Sequence, residues 1–248
     1  MQKRVLVVGA GPAGLTVADV LSEHGLKVTI HEREHVAGGF LNLIPKRRFD
    51  KNKFIEPIIK RLSSRGVKIK FGIDTKLETL PNLAFDFIVA AVGTQKQREI
   101  MMTFKKPKHT MNSIDYLKSD VKARTVAVIG GGNVAVDCAC EAVSRGGEVT
   151  LLYRRTEQEM RADKKEIEYA KDIGVKFEFN VSNFDRDVDI LVIAIGLDSE
   201  VQDFKSDKIF VAGDAHTGAA SIASAVNDAR HVANEIISLC HPSNLDAR

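Results

Sequence analysis

Val5-Leu6-Val7-Val8-Gly9-Ala10-Gly11-Pro12-Ala13-Gly14 stands near the start of the chain, and Val126-Ala127-Val128-Ile129-Gly130-Gly131-Gly132-Asn133-Val134-Ala135 repeats its plan midway. In both copies a short valine-rich run enters a glycine loop, and a stretch with helical apolar spacing follows. In a dinucleotide-binding βαβ unit the first glycine makes the tight turn. The second lets the backbone approach a pyrophosphate, and the third lets helix and strand pack closely. The first copy supplies Gly9, Gly11 and Gly14, with Pro12 and Ala13 at the helix start. The second supplies Gly130, Gly132 and Ala135, with Gly131 inside the loop and Asn133 and Val134 behind it. A helix that begins there offers unpaired N–H groups and a partial positive charge to phosphates. A lone motif of this kind is weak. Here each copy has a strand before it, a helix after it and a second strand with a polar tip, which is the context the motif requires.

The two tips differ. Val28-Thr29-Ile30-His31-Glu32-Arg33 ends on an acid about 20 residues past its loop, where a carboxylate can accept from ribose hydroxyls. Val149-Thr150-Leu151-Leu152-Tyr153-Arg154-Arg155 ends on two arginines, read as standing in the corresponding place. Guanidinium groups pair bidentately with a 2′-phosphate, which a carboxylate would repel. The expectation is two dinucleotides: one held through a free ribose, and one, NADPH rather than NADH, held through an extra phosphate. A solvated basic turn is the competing reading of Arg154-Arg155.

The rest of the composition narrows the class. The chain has 248 residues, enough for two modest domains. A net charge of +3 argues for neither nucleic acid nor an anionic membrane as partner. The longest apolar run, Ile190 to Leu197, is far short of the roughly 18 residues of a membrane span. Lys3 and Arg4 before an apolar run superficially mimic a signal peptide, but that run reads as a complete strand leading into the loop. Three cysteines do not make a disulfide framework, so a reducing, cytoplasmic setting is expected.

Periodicity and breakers set out the elements. Strands are expected at Arg4–Val8, Lys27–His31, Val67–Phe71, Phe85–Ala91, Thr125–Ile129, Val175–Phe179, Ile190–Ile195 and Lys208–Ala212. Helices are expected after each glycine loop and over Asn52–Ser64, Asp163–Ile173 and Ala219–Leu239. Residues from about Thr94 to Arg124 are basic, polar and weakly patterned, and read as a crossing into a second domain. Alternating βα units imply an α/β fold with parallel sheets.

In this order of parts the chain resembles the two-dinucleotide flavoprotein reductases, and most closely the small subunit of glutamate synthase. The loop Gly9 to Gly14 with Glu32 and its neighbour Arg33 resembles the ADP site for FAD. Gly38-Gly39, with Leu41 beside them and Ile44-Pro45 after, resembles the flavin loop, and Ala91-Val92-Gly93-Thr94 the turn that follows it. Gly130 to Asn133 with Val136-Asp137-Cys138 resembles the NADPH loop and helix. Tyr153 to Met160, then Lys164-Lys165-Glu166, resembles the phosphate-recognition segment. Ala194-Ile195-Gly196-Leu197 and Ala212-Gly213-Asp214 complete the set.

The resemblance implies two Rossmann-like domains. An FAD domain would be split into residues 1–105 and 203–248, with an NAD(P)H domain, 106–202, inserted. It also implies that Asp214 binds the ribityl chain and that the start of the last helix, near Ser221 and Ile222, faces the flavin ring. Hydride would pass from nicotinamide C4 to flavin N5, so no side chain is named as catalytic. Electrons would leave to an acceptor protein or a larger subunit, with a homo-oligomer left open. The alternatives are a thioredoxin-reductase-like ferredoxin–NADP reductase and an FAD relay subunit that uses no nicotinamide.

Three departures qualify the resemblance. The family's small subunit carries a cysteine-rich iron–sulfur domain, whereas this chain starts almost on its first strand and its three cysteines cannot make a Cys₄ site. The stretch from Phe179 to Asp187 is short, and Arg161 stands where the family usually has proline.

Cys138 and Cys140 lie two apart on a helix, about 200° around it, and read as buried small hydrophobes rather than a dithiol. His216 reads as a turn residue, and Lys46-Arg47-Arg48 as a solvated loop. No histidine, cysteine and carboxylate group has metal-ligand spacing.

Overall fold

Each glycine loop stands at the head of the central strand of a parallel sheet. The structure, a computed structural model, describes residues 2–100, 103–104, 107–199, 201, 204 and 206–240. It divides into two compact units, Met1–Lys96 with Asp198–Arg248, and Gln97–Leu197.

The first unit begins with β1 (Arg4–Val8), α1 (Pro12–Glu23), β2 (Lys27–Glu32), α2 (Lys51–Ser64), β3 (Lys68–Phe71) and β4 (Phe87–Ala90). The chain leaves through β5 (Lys96–Gln97). The second unit contains β6 (Thr103–Phe104), β7 (His109–Asn112), α3 (Ser113–Lys118), β8 (Thr125–Ile129), α4 (Asn133–Ser144), β9 (Glu148–Leu152), α5 (Lys164–Asp172), β10 (Lys176–Glu178), β11 (Asn183–Phe184) and β12 (Ile190–Ile193). The return runs through β13 (Leu197–Asp198), and β14 (Ile209–Val211), α6 (Asp214–Thr217) and α7 (Ile222–Cys240) complete the first unit. The main sheets have the orders β14-β4-β1-β2-β3 and β10-β9-β8-β12-β7. The central strands pair in parallel on both sides.

Both sheets are covered on two faces, which is why their central strands are continuous apolar runs. Alternate residues of β1 serve different cores. Val5 and Val7 pack with Leu15 and Leu21 of α1 and Ala229, Val232 and Ile236 of α7. Leu6 and Val8 pack with Leu80, Ile88 and Ile209. In β8, Val126 and Val128 join Val136 and Ala139 of α4, while Ala127 and Ile129 join Leu152, Phe184 and Leu191.

The expected elements are present, with ends shifted by a few residues. The last helix starts at Ile222 rather than Ala219, because the Ser221 hydroxyl accepts the Ser224 backbone N–H at 3.1 Å and caps it. The stretch 94–124 is not only a crossing, as the sequence had implied. It holds β7, the edge strand of the second sheet, and α3, capped by the Asn112 side chain at the Asp115 N–H and pinned by fully buried Tyr116. The partly exposed edge strand His109-Thr110-Met111-Asn112 carries too little apolar alternation to stand out. The expected domain boundaries at 105/106 and 202/203 lie outside the described residues.

Candidate functional site

The two loops repeat one geometry. Gly9 N–H donates to His31 O at 2.8 Å, and Gly130 N–H donates to Leu152 O at 3.0 Å. A Cβ on Gly9 would stand 2.4 Å from Ala91 O, and one on Gly130 2.3 Å from Ala194 O, so neither position admits a side chain. Gly11 and Gly132 cap α1 and α4, with Pro12 and Asn133 as first helical residues. An added Cβ meets nothing within 4 Å at either cap, so both faces are open to an approaching phosphate.

The registers correct one correspondence drawn from the sequence. β1 pairs Val8 with His31, and β8 pairs Ile129 with Leu152. The next residues, Glu32 and Tyr153, are therefore equivalent, each 23 residues past the first glycine of its loop (Gly9 to Glu32, Gly130 to Tyr153). Arg154 and Arg155 follow one and two places later, both exposed.

Glu32 is 5% exposed. Its Oε2 accepts the Ala10 N–H at 2.6 Å and its Oε1 accepts the Glu34 N–H at 2.9 Å. A carboxylate has about four lone-pair sites, so capacity remains for ribose hydroxyls. Arg33 donates to the Gln95 side chain at 2.6 Å. Gly38 N–H donates to Ala10 O at 2.8 Å, Gly39 lies against Gly11, and Leu41 is buried.

The chain's last segment comes to the same loop. Gly213 sits so close to α1 that a Cβ would be 2.5 Å from Ala13 Cβ. Its N–H donates to Asp228 Oδ2 at 2.7 Å, and Asp228 Oδ1 is 2.8 Å from His216 Nδ1. Sequence reading singled out His216 but missed Asp228, whose place one helical turn and a half into α7 carries no motif. Asp214 Oδ1 is buried with no hydrogen-bond partner, and burial pushes its carboxyl up, opposed by a backbone hydrogen bond from Ala220. A buried acceptor without a donor is the pattern expected of a group that meets a polar ligand. Gly93 takes φ +69 and leaves its turn open, whereas Gly196, in the second unit, faces the Arg98 guanidinium.

Around the second loop, residues 153–163 form a tethered arch. Tyr153 lies over Gly131 and its hydroxyl donates to Glu159 O at 3.0 Å. Thr156 and Glu159 make a reciprocal capping box, whose hydrogen bonds hold the Glu159 carboxyl low, with the Arg155 charge adding to them. Arg161 and Ala162 N–H both donate to Gly131 O, at 2.8 and 3.1 Å. Asn133 and Asp163 hydrogen-bond reciprocally, and Val134 packs onto the core behind them. Arg154 forms no ion pair among the described residues.

Cys138 and Cys140 are buried, and burial pushes the Cys138 thiol far up, so it is unreactive. Among the described residues no group of three potential ligands could hold a metal, and no helix is long and apolar enough to cross a membrane.

Residues 3–214 match the family model described as pyridine nucleotide-disulphide oxidoreductase. The chain is 36% identical to the NADPH-Fe(3+) oxidoreductase subunit beta of Geobacter sulfurreducens (strain ATCC 51573 / DSM 12127 / PCA), over 72% of this chain and 29% of that protein. It is 30% identical to the glutamate synthase [NADPH] small chain of Escherichia coli (strain K12), over 72% of this chain and 42% of that one. The chain thus spans less than half of these curated relatives. The thioredoxin reductase of Lactococcus lactis shares the fold, with a TM-score of 0.70 at 19% identity, covering 96% of this chain and 98% of that one.

Proposed function

The chain belongs to the pyridine nucleotide-disulphide oxidoreductase family, and from that premise we propose that it is an FAD-dependent oxidoreductase that draws electrons from NADPH and passes them to a partner subunit. The carrying observation is the duplicated glycine-headed helix, with a buried, partnerless Asp214 oxygen joining the first copy only.

In this reading Gly9, Gly11, Pro12, Ala13 and Gly14 bind the FAD diphosphate through backbone N–H groups and the α1 dipole. Glu32 takes ribose hydroxyls while it holds Ala10, and Arg33 lies beside it. Gly38, Gly39, Leu41 and Gly93 wall the site. Gly213 lets Asp214 come close enough to accept from a ribityl hydroxyl. The start of α7, at Ser221 and Ile222, places a positive helix end where reduction of the flavin builds negative charge. Gly130, Gly131, Gly132, Asn133 and Val134 form the second diphosphate seat. Arg154 and Arg155 meet the 2′-phosphate, and Gly196 shapes the far wall. When bound, the flavin supplies the hydride and electron chemistry, and the chain supplies binding and orientation.

The reading of a partner subunit is supported by two relatives that are a subunit beta and a small chain. The competing reading is an FAD relay subunit that uses no nicotinamide, favoured by the short stretch between β10 and β12. Anaerobic addition of NADPH to the FAD-loaded protein decides between them. Bleaching of the yellow absorbance is expected, and an unbleached flavin would favour the relay. A protein that cannot be loaded with FAD would remove the central claim.

A further inference from the structure

The two loops are clamped by the same hydrogen bond from different residues. Ala10 and Gly131 are equivalent positions, each one residue past the first glycine. The Ala10 carbonyl accepts from Gly38 N–H at 2.8 Å, and the Gly131 carbonyl accepts from Arg161 N–H at 2.8 Å. Gly38 and Arg161 therefore occupy equivalent places on the rims of the two loops. In the first copy the clamping residue has no side chain. In the second it has the longest cationic one.

Three features make that arginine available to a ligand. Its backbone is fixed, because the neighbouring Ala162 N–H also binds Gly131 O and the Ala162 side chain is buried in the core. Its side chain is exposed and makes no hydrogen bond or ion pair among the described residues. Neighbouring polar groups are engaged: Asn133 with Asp163, Lys171 with Glu157, and Thr156 with Glu159. A cation whose attachment point is already ordered loses less freedom on binding an anion. A guanidinium also presents a planar fork that fits phosphate oxygens.

We propose that Arg161 is a phosphate-contacting residue of the dinucleotide held by the second loop, a third arginine beside Arg154 and Arg155. Its anchor on the loop itself assigns it to the diphosphate, whereas Arg154 and Arg155 extend from the tip of β9. The proposal rests on the reading of the second loop as a dinucleotide site.

The test is calorimetric binding of NADP⁺ and of NAD⁺ to the FAD-loaded protein, comparing wild type with Arg161→Ala and Arg161→Lys. Arg161→Ala is expected to weaken both ligands about tenfold, since a charge-assisted hydrogen bond is lost. Arg161→Lys should recover part of that loss, because the charge remains and the fork does not. The dependence of affinity on added salt should become shallower in Arg161→Ala. Thermal unfolding should be unchanged, because the substitution keeps the backbone N–H that clamps Gly131. A loss confined to NADP⁺ overturns the assignment to the diphosphate, because that group is common to both ligands. Unchanged affinity for both ligands overturns the proposal. A wild-type protein that binds neither ligand instead defeats the dinucleotide reading of the loop.

Discussion

The Tyr153 ring lies directly on Gly131: a Cβ built on that glycine would stand 2.3 Å from Tyr153 Cε2 and 2.6 Å from Cδ2. The equivalent pair in the first copy is Glu32 with Ala10, joined by a 2.6 Å hydrogen bond. One contact between loop and strand tip is thus kept in both copies with opposite chemistry, polar in one and packed in the other. Gly131→Ala should push the ring aside, break the Tyr153 to Glu159 hydrogen bond and cost about 1–3 kcal/mol. Denaturant unfolding checks this. Adding Tyr153→Ala should remove most of the extra penalty, and a purely additive double variant would refute the contact.

Removing Glu32 should expose a different weakness. Ala10 is fully buried, so Glu32→Ala leaves its N–H without an acceptor. The expected loss is about 1–3 kcal/mol of stability, together with weaker FAD retention on gel filtration. Glu32→Gln keeps an acceptor oxygen and should lose less. Equal stability of Glu32→Ala and wild type would show that the bond contributes nothing.

Asp214 sets stability against binding. Its folded carboxyl titrates above the usual 3.8 because of burial. The stability this group contributes is therefore full below 3.8 and is lost as pH rises through the folded value, so at neutral pH the buried carboxylate destabilises the apoprotein. Asp214→Asn should raise the melting temperature of apoprotein at neutral pH while weakening FAD. A variant with a lower apoprotein melting temperature would contradict this account.

His31 runs the other way with acid. Its Nδ1 is 2.9 Å from Thr75 Oγ1, its Nε2 is buried without a partner, and burial, then the Lys70 charge, lowers its pKa below 6.5. Between the folded value and 6.5 only the unfolded chain binds the proton. Stability from His31 is thus present above 6.5 and falls as pH drops through the folded value. Unfolding free energies measured from about pH 8 down to about pH 5 should decline in wild type and decline less in His31→Gln. Parallel profiles would exclude His31 as a source of the decline.

Arg154→Ala with Arg155→Ala should weaken NADPH far more than NADH, because only NADPH carries the 2′-phosphate. Separate titrations of the two cofactors read this out. Equal losses would detach these arginines from cofactor choice.

Much of the fold was legible because its two central strands are apolar on both faces and each runs into a glycine loop. Those features are local, so β1, β8 and their helices could be read directly. β7 and α3 were not legible: one is a polar edge strand, and the other is a single six-residue helix held by Tyr116 and Asn112. The Glu32 to Tyr153 correspondence was recoverable by counting from the first glycine of each loop, but the charge contrast drew attention to Arg154 and Arg155 instead. Asp228 carried no motif, and Arg161 stood out only as a residue in place of the family's proline. Their parts depend on backbone groups, Gly213 N–H and Gly131 O, that residue identity does not advertise.

The sequence by itself determined the two glycine-headed βαβ units, since strand burial, turn geometry and helix start are all set within about 30 residues. Only the tertiary structure decided which distant residues complete them. It set β14 beside β4, bringing Gly213 and Asp214 to the first loop, and it laid Tyr153 and Arg161 on the second. Such placements follow from sheet order and from hydrogen bonds between backbone groups far apart in the chain, which no local pattern encodes.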